Sequence, residues 1–419
     1  MATIAVLTAG CAKNEISIER HDGYTIVSQT RGPELGYSET SGVSILNIDG
    51  FAFKDLDKDG ELDIYEDWRR PVSERAEDLA AQLPIERICG LMLYSSAVDA
   101  MTAELTTKQA GYLKDDYIRH MLVRNIADAA TGAAWSNRVQ AFCEAEPFGI
   151  PSNNSSDPRN YTNGQANTNT YQPEPDGEFD PDGTSKISLW PREVGMAATF
   201  DPITARKHGE IVSTEYRALG ITTALSPQAD LSTDPRWRRF YGTFSESPEL
   251  NRDIVREYCD AFQTTPGSKD GWGSHSVNCM VKHWPGGGTG EGGRDAHFGS
   301  GKYAVYPGNN LAQNLIPFVD GAFNLRNGTK MASAVMPYYT ISYDQDPSGE
   351  NVGNGFSHYI IQELLRDKYH YEGVVCTDWG IVNDYYKVYE HSGTPWGMET
   401  KSPAEKRLKC FEAGVDQLG

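Results

Sequence analysis

The sequence predicts a (β/α)8 barrel behind a small β-rich lead-in, and three observations carry that reading. Short apolar runs alternate with helical patterns along most of the chain, which implies parallel strands joined by right-handed crossovers. Eight such runs are present, the number that closes a barrel. Charged residues stand at the ends of several runs, where barrels of this kind place their chemistry.

Residues 1–11 end in Leu-Thr-Ala-Gly-Cys11. This resembles the tail of a bacterial lipoprotein signal, in which the cysteine carries lipid, although the basic start and a full apolar segment are lacking. The expectation is export to the periplasm or cell envelope, with a lipid anchor at Cys11. Residues 12–70 alternate apolar and polar positions between glycines, which suits a lead-in of short strands.

Within the lead-in, residues 55–66 read Asp55-Leu-Asp57-Lys-Asp59-Gly60-Glu61-Leu-Asp63-Ile-Tyr-Glu66. Acids fill positions one, three, five, nine and twelve of an EF-hand-type loop, and glycine stands at its sharp turn. A structural Ca²⁺ is therefore expected, held by Asp55, Asp57, Asp59, Glu61, Asp63 and Glu66 as a clip between lead-in and barrel. The alternative is an acidic turn feeding a helix that starts at Glu66-Asp67-Trp68. No cofactor is expected for catalysis.

The barrel is expected over 71–419. A helix over Ser73–Leu83 opens it, and the strands are read at Gly90–Tyr94, Met121–Asn125, Ile150–Asn154, Ile221–Leu225, Asn278–Val281, Ala332–Met336, Val374–Thr377 and Gly414–Leu418. Asp201-Pro202 gives an N-cap with proline at the first helical position, and Gly220 ends that helix before the fourth strand. Phe356, Tyr359, Ile360 and Leu364 recur at helical spacing ahead of the seventh. Residues 158–189, rich in Asn, Gly, Asp and Pro, form a long insertion on the catalytic face. The sequence stops at Gly419 just after the eighth strand, without a closing helix, and reads as truncated there.

Composition excludes some partners. A formal charge of −20 repels nucleic acid and anionic membranes. No apolar run is long enough to span a bilayer. The seven cysteines show no C-x-x-C pair, and Cys89, Cys279 and Cys376 are expected as buried thiols.

The chemistry concentrates at strand ends. Val374-Val-Cys-Thr377 runs into Asp378-Trp379-Gly380, a carboxylate beside an aromatic platform, which suggests an enzyme acting on sugars. Lys282-His283 ends the fifth strand; both can donate to hydroxyls, and their positive charge would lower the pKa of a nearby carboxylate. Asp157-Pro-Arg159 follows the third strand, and Asp234-Pro-Arg-Trp-Arg-Arg239 the fourth. Gly288-Thr-Gly290-Glu-Gly-Gly293 matches G-x-G-x-x-G formally, but no helix-forming segment follows, so a nucleotide site is rejected.

These motifs together resemble glycoside hydrolase family 3. They are Gly149-Ile-Pro with Ser-Ser-Asp157, Asp234-Pro-Arg-Trp-Arg-Arg239, Lys282-His283-Trp-Pro-Gly, Val335-Met-Pro-Tyr-Tyr339 and Val374-Val-Cys-Thr-Asp378-Trp-Gly, in order from about Asp55 to Gly419. The resemblance implies that Asp378 is the nucleophile of a retaining mechanism. It implies that Asp157, Arg239, Lys282, His283, Tyr339 and Trp379 line the subsite for the non-reducing sugar. Arg238 stands where a glycine is common. The proton donor in most members is a glutamate on a second, α/β-sandwich domain, which is absent from this chain and whose presence activity would then need. In the N-acetylglucosaminidase branch an Asp-x-His pair serves, and Asp295-Ala-His297 resembles it; the pair is read either as that acid/base or as a wall of the pocket. The expected function is an exo-acting β-glycosidase releasing terminal β-D-glucosyl residues from oligosaccharides or glucosides. The alternatives are an N-acetylhexosaminidase, a β-xylosidase, or a non-catalytic carbohydrate-binding barrel.

Overall fold

The computed structural model describes residues 14–158, 166–167, 170–171, 188–384 and 393–419. Cys11 and most of the 158–189 insertion lie outside the described residues.

The lead-in is all β. Strands β1 (Ile16–Arg20), β2 (Tyr24–Gln29) and β3 (Leu35–Ser38) form an antiparallel sheet, and β4 (Ser44–Ile48) and β5 (Phe51–Asp55) form a hairpin. The hairpin turns on Asp49-Gly50, both at positive φ, the conformation a tight two-residue turn demands. The acid loop begins at the last residue of β5.

The barrel alternates as expected. Helices α1 (Val72–Gln82) and α2 (Ile85–Leu91) lead to β6 (Val98–Ala100), α3 (Thr107–Lys114), β7 (His120–Ile126), α4 (Ala129–Ala145) and β8 (Asn153–Ser156). Then come α5 (Pro202–Ala218), β9 (Thr223–Ala224), α6 (Pro248–Gln263), β10 (Asn278–Trp284) and α7 (Leu311–Ile316). Last are β11 (Ala334–Pro337), α8 (Tyr359–Lys368), β12 (Val374–Val375) and α9 (Pro403–Glu412). β6 to β12 form a seven-stranded sheet in which neighbouring strands pair in parallel. Parallel bridges Tyr94–His120, Leu93–Leu418 and Cys376–Gln417 close it into a ring of eight. The eighth strand is only this two-residue contact.

Side chains alternate across the wall. Leu122, Leu225, Met280, Met336 and Cys376 pack with Tyr94 in a central cluster. Their neighbours Met121, Val123, Ala224, Cys279, Val281, Val335 and Val375 join the larger layer beneath the helices. This period of two, with both faces buried, is that of a filled parallel barrel.

Three expectations are corrected. Gly90 belongs to α2, where a Cβ would come within 2.6 Å of the Asp116 carbonyl oxygen, so the first strand starts at Leu93. Ile150 precedes the third strand, whose residues Asn153–Ser156 are polar; Ser155 and Ser156 donate to the carbonyls of Met121 and Val123, so hydrogen bonds replace apolar burial there. Cys89 is exposed because it falls on the solvent side of α2, whereas Cys279 and Cys376 are buried. Asp201 caps α5 by accepting from the Ile203 N–H, as its Asp-Pro start predicts.

Candidate active site

Asp378 follows β12 at the C-terminal end of the seventh strand, 9% exposed. Its Oδ1 accepts the Trp379 backbone N–H at 2.8 Å, and its Oδ2 lies 3.8 Å from His283 Nε2. Burial and the Asp378 carboxylate drive the Tyr339 phenol well above its ordinary pKa, so it is a hydroxyl donor at neutral pH. Tyr339 also donates to the Trp379 carbonyl at 2.7 Å. Trp379 in turn packs edge-on to Tyr94 and donates from its indole to the Ser95 carbonyl, which fixes the platform.

β10 delivers Lys282 and His283 to the same end of the barrel, joined by a cis peptide. Lys282 Nζ donates to Asp157 Oδ1 at 2.6 Å, so these residues, 125 apart in sequence, form one ion pair at the C-terminal ends of β8 and β10. Arg239 donates to His283 Nε2 at 2.9 Å and to Gln228 Oε1 at 2.6 Å.

One residue here was missed by the sequence reading. Asp230 is fully buried just past the fourth strand. It accepts from His283 Nδ1 at 2.7 Å, from the His283 backbone N–H at 2.9 Å and from the Gly287 N–H at 2.6 Å. Burial alone would raise its pKa, but these bonds hold it below the usual carboxylate value. No local signal marks Asp230, which lies six residues past the Ala224 end of β9, whereas Asp157 directly follows β8.

The charge expected of His283 is corrected. Burial, then the neighbouring Arg239, bring its pKa down to about 4 despite Asp230 and Asp378. It is a neutral imidazole with its proton on Nδ1 toward Asp230 and Nε2 accepting from Arg239. Positive charge near Asp378 comes from the guanidinium, not the imidazole.

Asp295 and His297 form a hydrogen-bonded pair at 2.5 Å, and the His297 ring meets Tyr339 edge-on at 4.9 Å. Burial works to raise Asp295, but the bond from His297 outweighs it and brings the pKa down to about 2. The Trp396 indole donates to the Ala296 carbonyl between the two residues, pinning the loop. The glycines before it serve backbone contact: a Cβ on Gly288 would lie 1.9 Å from the Leu231 carbonyl oxygen.

The chain is similar in sequence and in fold to known proteins. The model for the glycosyl hydrolase family 3 N-terminal domain matches residues 182–418. The chain belongs to glycosyl hydrolase family 3. Among its family 3 relatives, a periplasmic beta-glucosidase/beta-xylosidase of Dickeya chrysanthemi is 38% identical over 91% of this chain and 58% of its own length. Beta-glucosidase C of Emericella nidulans is 34% identical over 85% of this chain and 55% of its own. The chain thus spans little more than half the length of these curated relatives. In fold it is similar to a β-glucosidase of Erythrobacter marinus (TM-score 0.61, 22% identity, 85% of this chain and 41% of that one). A family 3 β-N-acetylglucosaminidase of Paenibacillus gives TM-score 0.61 at 20% identity, over 80% of this chain and 54% of the other.

The acid loop lies away from this family 3 site. Asp55, Asp57 and Asp59 each offer a carboxylate oxygen within 4.8 Å of one another. Glu66 is buried and accepts from the Leu56, Asp57 and Asp63 N–H groups, which folds position twelve back over position one. Burial, and then the like charges of Asp59, Asp63 and Asp55, raise Asp57 despite a backbone hydrogen bond; burial also raises Glu66. Gly60 turns the loop at φ +85°. The Asp63 carboxylate accepts from Gln82, and Glu61 is exposed. The donor set of hard carboxylate oxygens fits Ca²⁺.

Proposed function

We propose that this chain is the catalytic barrel of a retaining, exo-acting β-glycosidase that releases terminal non-reducing β-D-glucosyl residues. The observation that carries the reading is Asp378 at a barrel strand tip, with Tyr339 against it and the Asp230–His283–Arg239 chain beside it. Asp378 attacks the anomeric carbon as the bond to the leaving oxygen breaks. The resulting glycosyl ester is cleaved by water, which returns the carboxylate. The Lys282–Asp157 pair and Arg239 supply donors and an acceptor for sugar hydroxyls, and Trp379 an apolar wall. The names of the two curated relatives support glucoside as substrate, with xyloside second.

The reading is tested by intact mass after incubation with a 2-fluoro-glucoside bearing a dinitrophenyl leaving group, which departs without protonation. One adduct on the peptide carrying Asp378, absent in Asp378→Asn, is expected. A folded chain that forms no adduct with either the glucoside or the xyloside reagent would sink the proposal.

A second reading, N-acetylhexosaminidase, is favoured by one observation: the Asp295–His297 pair is formed and its imidazole packs on Tyr339. In that case His297, held by Asp295, protonates the leaving oxygen. Efficient turnover of an N-acetylglucosaminide by the chain alone, lost in His297→Ala, distinguishes it.

We infer further that the 55–66 loop binds a structural Ca²⁺ through Asp55, Asp57, Asp59, Asp63, Glu66 and the Glu61 position. The name of the Dickeya relative supports export, and residues 1–11 fit a lipid anchor at Cys11. No helix among the described residues is long and apolar enough to cross a membrane.

A further inference from the structure

A cleft of about 940 Å³ separates the lead-in sheet from the outer surface of α4. It lies apart from the strand-end cluster and shares Leu56 and Glu66 with the acid loop. Its lead-in wall carries three aromatic side chains, Tyr24, Tyr37 and Trp68, and Tyr24 is 46% exposed although stacked on His21. Its α4 wall is cut back to Ala134 and Ala141, with Asn137 and Arg138 beside them. Those small residues make the room.

The charges on the walls cancel. Lys54, Arg75 and Arg138 face Asp22, Glu66 and Glu144, within a chain of formal charge −20. Lys54 and Glu144 are paired across the floor, where Glu144 also accepts the Ser38 N–H and Lys54 donates to the Gly36 carbonyl. A charge-balanced cleft gives no net attraction to polyanions or polycations. Aromatic rings offer flat faces for C–H groups, while the paired charges and Asn137 offer directed hydrogen bonds. Its volume falls at the upper end of the usual range for ligand cavities. Rings, polar groups and neutrality together describe a recognition surface for an uncharged, polyhydroxylated chain.

We propose that this cleft is a second carbohydrate-binding site, which holds a neutral oligosaccharide along α4 apart from the pocket at Asp378. The cleft residues include parts of β2, β3, β5 and the acid loop on one side and of α1 and α4 on the other, so a bound chain would also bridge lead-in and barrel.

The experiment is calorimetric titration of the full chain carrying Asp378→Asn with cellohexaose. It is repeated with the further change Tyr37→Ala and, separately, Ala134→Trp, which fills the cleft from an exposed helix position. Two classes of site are expected in the parent, and each variant should weaken one class at least about tenfold while leaving the other unchanged. A single class in the parent, or two classes untouched by both variants, overturns the proposal. So does preference for a sulfated polysaccharide over cellohexaose at the class the variants remove. Unchanged melting temperature in Ala134→Trp shows that any loss comes from the cleft.

Discussion

Asp230 determines which face of the His283 imidazole carries its proton, and through it how Arg239 is held beside Asp378. Asn at this position would turn an N–H₂ group toward Nδ1 and force the proton onto Nε2, against the N–H of Arg239. Loss of one charge-assisted hydrogen bond is worth about 1.5–3 kcal/mol, so kcat/KM in Asp230→Asn should fall about 10- to 100-fold. An aryl glucoside assay of folded protein decides this; an unchanged kcat/KM would mean that His283 is not positioned by Asp230. At this scale Asp378, Lys282, His283, Asp157 and Tyr339 were legible because each ends a strand or a recognisable motif. Asp230 was not, since nothing local separates an acid that orients a histidine from one that ends a loop. The neutrality of His283 was also illegible, because it depends first on burial in the folded barrel and then on a guanidinium 44 residues away.

Among the elements, the acid loop and α4 are joined more closely than their order suggests. Lys58 donates to the carbonyls of Glu144, Ala145 and Glu146, and so caps the C-terminal end of α4 from the middle of the proposed calcium loop. Calcium at a hundredfold excess over its Kd would stabilise the folded chain by about 2.7 kcal/mol. Melting followed with and without EDTA should show a calcium-dependent rise that Asp57→Asn abolishes. Lys58→Ala should lower stability by about 0.3–1 kcal/mol in either condition and keep the calcium response. No shift on adding calcium to EDTA-treated protein would exclude the site. The helices were readable from caps and periodicity, as at Asp201-Pro202. The polar third strand was not, because its serines are satisfied by backbone carbonyls of the neighbouring strand, a pairing that exists only after folding.

For the whole molecule, buried neutral histidines shape the response to acid. Burial brings His208 down to about 3, and burial with Arg239 brings His283 down to about 4. Below pH 6.5 the unfolded chain binds protons that the folded chain refuses, so stability is complete above that pH and falls as pH drops toward 4. Each group removes up to about 1.4 kcal/mol per pH unit in that window. Burial brings His120 down to about 4 as well. Asp260, Asp57 and Glu66, raised by burial, act in the opposite sense, and bound calcium would hold the last two ionised, which leaves one carboxylate against three imidazoles. The melting temperature measured with calcium saturating should therefore decline between pH 6.5 and 4; a flat profile would contradict the buried neutral state. The barrel class was legible from the alternation of runs, whereas the ring closure was not, because it depends on contacts far apart along the chain.

That closure has a consequence for how the molecule is made. Leu93 meets Leu418 by one backbone bridge, and the Gln417 side chain reaches the Leu91 carbonyl across 326 residues. Until the eighth strand arrives, the first and seventh each present an unpaired parallel edge, the kind of surface that recruits strands from other chains. Such distant pairing is also the slowest to form. The interval between synthesis of the first strand and arrival of the eighth is thus when a nascent chain is most exposed to aggregation.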